Sequence, residues 1–61
     1  MRMYQMFETK EERQNWIKER KSKSKEFRVC FQETVKQLAK SVYLTDEQQA
    51  KYKYAVVYTY D

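Results

Sequence analysis

Glycine, proline and histidine do not occur in this chain of 61 residues, and cysteine occurs once, at Cys30. Each absence excludes something. Without glycine, the usual two-residue hairpin turns and the glycine cap that ends many helices lose their preferred residue. The sequence therefore predicts helices joined by short polar links rather than a tight β-meander. A single thiol cannot staple the chain to itself, which rules out an internal disulfide framework and points to a reducing compartment. With no histidine and one cysteine the common zinc ligand sets are missing, and the carboxylates are poorly spaced for a calcium loop. Neither a structural metal nor a cofactor is expected.

Long apolar runs are missing too. The opening "MRMYQMFETKEER" lacks a signal-peptide core, and no window approaches the ~18 apolar residues that span a bilayer. The expectation is a soluble cytoplasmic protein of one small domain, residues 1–61. A chain of this size buries only about 60% of the surface it exposes when unfolded, so stability must come from good helix packing or self-association.

Against those absences stand two capping patterns, one long apolar repeat and a tyrosine-rich end. "MRMYQMF" alternates in the manner of a strand. Thr9 followed by Glu12 is a capping box, with Glu11 and Glu12 at the positive end of the helix dipole and Arg20 and Lys21 at its negative end. This predicts a helix over about residues 10–21. Its apolar stripe is thin: Trp16 and Ile17, flanked by the stems of Arg13 and Arg20. "KSKSK" interrupts the pattern, and Ser22 or Ser24 can cap the next helix.

From Lys25 onward Phe27, Cys30, Phe31, Thr34, Val35, Leu38, Ala39 and Val42 fall at three-then-four spacing, which predicts a second helix with Cys30 on its buried stripe. The competing reading makes "FRVCF" a strand with Phe27, Val29 and Phe31 on one face. Thr45 and Gln48 form another capping box, with Asp46 and Glu47 in the first turn of a third helix. In "KYKYAVVYTY" a strand would align Tyr52, Tyr54, Val56, Tyr58 and Tyr60, whereas a helix would align Ala50, Tyr54, Val57 and Tyr58. β-branched and aromatic enrichment favours a strand from about Ala55.

The expected fold is α+β and mainly helical. The N- and C-terminal strands would pair as a two-stranded sheet, with two to three helices over one face. The alternative is an all-α three-helix bundle with an extended N-terminal arm.

Charge is unevenly placed. The formal net charge is +4, and residues 18–28 hold six bases, Lys18, Arg20, Lys21, Lys23, Lys25 and Arg28, against Glu19 and Glu26. The remainder carries seven bases and seven acids. Such a knuckle suits phosphate contacts, while a solvated interhelix link is the favoured account, because "KSKSK" lacks the arginine density of bidentate phosphate recognition. The flanking helix has no broad apolar face to lay on a membrane.

Tyr52, Tyr54, Tyr58 and Tyr60 lie beside Lys51 and Lys53, an aromatic and basic mix able to stack bases. The structural account puts Tyr54, Val56 or Val57, and Tyr58 in a core with Phe27, Phe31, Val35, Leu38 and Trp16. Surplus aromatics, with Trp16, Tyr52, Tyr58 and Tyr60 as candidates, would then serve a protein interface. Catalysis finds no tuned acid, base or nucleophile: Glu11–Glu12 and Asp46–Glu47 are explained by helix starts, and no small-molecule substrate is expected. Two functions are therefore expected. One is a non-enzymatic protein-interaction or regulatory module, with a homodimer as one form of it. The other is an accessory nucleic-acid binder acting through residues 18–28.

Overall fold

The computed structural model describes residues 2–60, with elements in the order β1 (Met3–Phe7), α1 (Lys10–Lys23), β2 (Phe27–Thr34), α2 (Val35–Leu38), α3 (Asp46–Lys51) and β3 (Tyr54–Tyr60). The strands form one antiparallel sheet in the order β1-β3-β2, which puts the C-terminal strand in the middle. This overturns the mainly helical expectation, its two-stranded sheet, and the alternative three-helix bundle. Among the described residues helix and strand take comparable shares, 41% and 34%, and the sheet has three strands. Helices also lie on both faces rather than one.

The cause lies in β3. Ala55, Val56 and Val57 are buried in succession, which happens only where both faces of a strand are covered. On one face Val56 packs with Phe7, Ile17 and Phe27 beneath α1, joined by Trp16, Val29, Tyr54 and Tyr58. On the other, Ala55 and Val57 pack with Val35, Leu38 and Leu44, joined by Met6, Ala39, Val42 and Tyr52. A strand so enclosed cannot hydrogen-bond to water, so both of its edges need neighbours. β1 supplies one, and the segment expected to be the long second helix supplies the other.

Within β2, Phe27 stands opposite Tyr60 and Val29 opposite Tyr58, both on the α1 face. The register then shifts by one residue between Val29 and Phe31, so that Phe31 lies opposite Val57 on the α2 face. A β-bulge of this kind turns the residues beyond it to the other face of the sheet. The helical spacing of Phe27, Phe31, Val35 and Leu38 is real in the letters, but sheet pairing outweighs it. Only Val35–Leu38 remain helical, and the Cys30 expected on a buried stripe is an exposed free thiol.

Local signals set most boundaries. Thr9 Oγ1 accepts the Glu12 amide at 3.1 Å, and the hydroxyl donates to the Glu12 carboxylate at 3.3 Å. The helix continues past residue 21 to Lys23, where Ser24 closes it as the C-cap and Ser22 donates to the Glu19 carbonyl at 2.8 Å. Neither serine starts a second helix. α3 begins with a complete box: the Gln48 amide donates to Thr45 Oγ1 at 3.1 Å, and the Thr45 amide donates to Gln48 Oε1 at 2.9 Å. α3 has six residues and none of them is buried, so it depends strongly on this cap. Thr45→Ala is expected to lower global stability by about 1 kcal/mol and to speed exchange of the Gln48 amide. A urea midpoint and exchange rate equal to the parent's would contradict that dependence.

No helix among the described residues is long and apolar enough to cross a membrane.

Candidate interaction surface

Sheet register decides what each face presents. On the α2 side, cross-strand rows run Met6–Ala55–Glu33 and Tyr4–Val57–Phe31, with Arg28 opposite Thr59 one step further. α2 and the turn after it cover the first row. The second row lies at the open end, where Tyr4 is 39% and Phe31 43% exposed although Val57 between them is buried. The result is a groove of about 160 Å³ with Val57 as floor, Tyr4 and Phe31 as sides and Leu38 and Val42 as wall. Arg2 sits at its rim with the guanidinium 5.8 Å from the centre of the Phe31 ring, and Glu33 also lines it. Two strand spacings, ~10 Å, separate the backbones that carry the two rings.

The six bases of residues 18–28 do not form a single patch. Lys23 is bound to Glu19 at 2.7 Å, and the Lys23 ammonium holds the Glu19 carboxyl below its ordinary pKa through that hydrogen bond and its charge. Arg20 lies 5.1 Å over the Trp16 ring and donates to the Tyr60 hydroxyl at 3.5 Å, so its charge is turned onto aromatics. Arg28 falls between Phe27 and Val29, which puts it on the opposite face of the sheet from α1. All six are exposed, with Lys18, Lys21 and Lys25 on α1 and in the turn after it.

The four aromatic candidates also divide. Trp16 packs in a ring cluster with Phe7, Phe27 and Tyr58, at centroid distances of 5.6, 5.7 and 5.1 Å. Tyr60 closes the cluster edge-on to Phe27 and Tyr58, at 5.6 and 5.9 Å. These three tyrosine and tryptophan rings lie together under α1, with Tyr60 at the border. Tyr52 is the C-cap of α3, half-buried against the α2-side core, with the Lys51 ammonium 5.3 Å over its ring. The tyrosines of β3 therefore face a helix and present no open stacking platform.

Of the exposed aromatics, sequence reasoning named Tyr60, which is as exposed as Tyr4, and missed Tyr4, Phe31 and Tyr43. Tyr43 is 87% exposed between half-buried Val42 and buried Leu44, while Tyr4 and Phe31 emerge only once the bulge and the three-strand order are known. Tyr4 carried a readable signal, since it alternates with Met3 in β1. Phe31 carried none, because the register shift that turns it is invisible in the letters. Arg13 is a further surprise: it is buried, and its Nη1 donates to the Glu33 carbonyl at 3.1 Å and the Ala55 carbonyl at 3.4 Å, while the guanidinium lies 5.4 Å from the centre of the Tyr54 ring. It ties α1 to the two strands beneath.

Among the described residues there is no group of three or more histidine, cysteine or acidic side chains placed to hold a metal ion. No family model matches the chain, no curated protein matches it, and no solved structure matches it.

Proposed function

We propose that this protein is a small non-enzymatic binding module of the cytoplasm that acts by docking a segment of another protein in the groove beside α2. The carrying observation is the pair of aromatic rings, Tyr4 and Phe31, left part-exposed on either side of Val57 in a chain with few large apolar residues. Rings that add nothing to the core and line a concave apolar site are the usual anchors of a protein contact. Arg2 at the rim favours an occupant with an acidic residue next to its apolar anchor, and Glu33 at the far end disfavours the reverse orientation.

A second reading keeps nucleic acid as the partner, because Lys18, Lys21 and Lys25 stay exposed within one stretch. The place of Arg28 on the opposite face of the sheet from α1 counts against it. The test uses immobilised parent, Tyr4→Ala/Phe31→Ala and Lys18→Glu/Lys21→Glu/Lys25→Glu proteins, each checked for an unchanged circular-dichroism melt, to capture proteins and nucleic acids at low and moderate salt. The docking reading expects a protein retained by the parent and the lysine variant but reduced at least about tenfold on the double alanine variant. Capture of RNA or DNA that fades steeply with salt and vanishes with the lysine reversal would replace it with the second reading.

A further inference from the structure

β2 is an outer strand, so among the described residues no strand pairs with the side of it that faces away from β3. Eight residues of open edge are a template for another strand. The other outer strand, β1, is five residues long, and the acid after it, Glu8, is 4.0 Å from the Lys51 ammonium.

What sets β2 apart is the order of charge on one of its faces. Arg28 lies opposite Thr59 and Glu33 opposite Ala55, four residues apart on β3, so both belong to the α2 face. Residues five apart on a regular strand point to opposite faces. The register shift between Val29 and Phe31 is what brings this arginine and this glutamate to the same side.

We propose that two copies of this chain pair edge to edge through β2, antiparallel about a twofold axis normal to the sheet, with Arg28 of each copy opposite Glu33 of the other. In this register Val29 meets Gln32, Phe27 meets Thr34, and the bulge residues Cys30 and Phe31 of each copy face their counterparts across the axis. Directly opposed residues of an antiparallel pair share a face, and here they do: Val29, Gln32, Phe27 and Thr34 all lie on the α1 side, where Arg28 and Glu33 do not. Sliding by one residue either way would set Arg28 against Gln32 or Thr34, which lie on the wrong face. The strand is self-complementary in one register, as a twofold contact requires. Arg28 also interacts within its own chain, and the five donors of a guanidinium allow both contacts.

The product is a six-stranded sheet with both α1 helices on one side. On the other side the rows Tyr4–Val57–Phe31 of the two copies meet at Phe31. This pairing does not rest on the docking reading above and is tested without any ligand.

Sedimentation of reduced protein from micromolar to millimolar concentration should show a monomer–dimer equilibrium. Arg28→Glu and Glu33→Arg, each of which sets two like-charged pairs across the edge, are expected to raise the dimer dissociation constant at least about tenfold, and the exchanged double variant to restore it to within about threefold. A second measurement is independent of those affinities: diamide, taking the two thiol protons and two electrons, should join Cys30 of one copy to Cys30 of the other in the parent and the double variant and far less in either single variant. Each variant's thermal melt identifies one that fails to fold, and the other single variant then carries the comparison alone. A monomer throughout overturns the proposal. So does a dimer indifferent to both reversals, which would lie on β1 or an apolar face instead.

Discussion

Leu38→Ala is expected to remove most of the stability of this protein. Leu38 is 1% exposed and packs with Val35, Leu44, Ala55 and Val57. α2 has four residues and buries two, so Leu38 is half of what fastens that layer to the sheet. Truncating a buried leucine costs about 2–5 kcal/mol through lost transfer energy and the cavity left behind. A 61-residue chain has about 3–9 kcal/mol in total at ordinary values per residue. The variant should therefore show a urea midpoint lowered by half or more, with ready exchange of amides in β3. Because Leu38 also walls the groove, any loss of binding in this variant has to be read against its folded fraction. A loss below about 1 kcal/mol would mean that the α2 layer is not part of the cooperative core, and the α2-side face of β3 would need another account.

The second large effect is expected at Trp16, which the sequence offered as an interface residue. The structure surrounds it with Phe7, Phe27 and Tyr58, and lays the Arg20 guanidinium 5.1 Å over its remaining face. Trp16→Ala should cost about 3–5 kcal/mol, and Trp16→Phe should recover much of it because an aromatic ring still fills the cluster. As this is the only tryptophan, the readout is far-ultraviolet circular dichroism rather than intrinsic emission. An alanine variant that melts like the parent but loses a bound protein would return Trp16 to the interface and remove it from the core.

The two residues differ in how far their places can be read from sequence. Trp16 and Ile17 stand in a stripe at helical spacing on α1, and only the depth of their burial is missing from the letters. Periodicity places Leu38 in a core, but on the wrong element. Its partner Val35 comes directly after Thr34, whose hydroxyl accepts the Gln37 amide at 3.3 Å while the Thr34 amide donates to Gln37 Oε1 at 3.0 Å. That box is written in the same letters as the one at Thr45 and Gln48. Periodicity conceals it because Thr34 fits the interior of a longer apolar repeat, and a cap inside a repeat means that the repeat does not belong to one helix.

The candidate surface is legible in part. The exposed lysines 18, 21 and 25 stand out in the sequence. Arg20, Arg28 and the three aromatics under α1 have positions that depend on what lies across the sheet, and local sequence carries no record of that. The groove itself is not legible, for it is made by Tyr4, Val57 and Phe31, residues from three strands that meet only through two registers.

What the sequence alone determined is whatever depends on residues within one turn or one strand of each other. It set the cap of α1 at Thr9, the cap of α3 at Thr45, the charge order along α1, the extended form of β1, and the strand from about Ala55 that the structure begins at Tyr54. Tertiary structure alone decided the central place of β3, the conversion of Phe27–Thr34 from helix to strand, and the bulge that sends Phe31 to one face after Phe27 and Val29 have gone to the other. The physical reason is the same for all three. Intrinsic helix and strand preferences differ by less than about 1 kcal/mol per residue, whereas leaving one edge of a doubly buried strand without hydrogen-bond partners costs about 1–3 kcal/mol for every group unpaired.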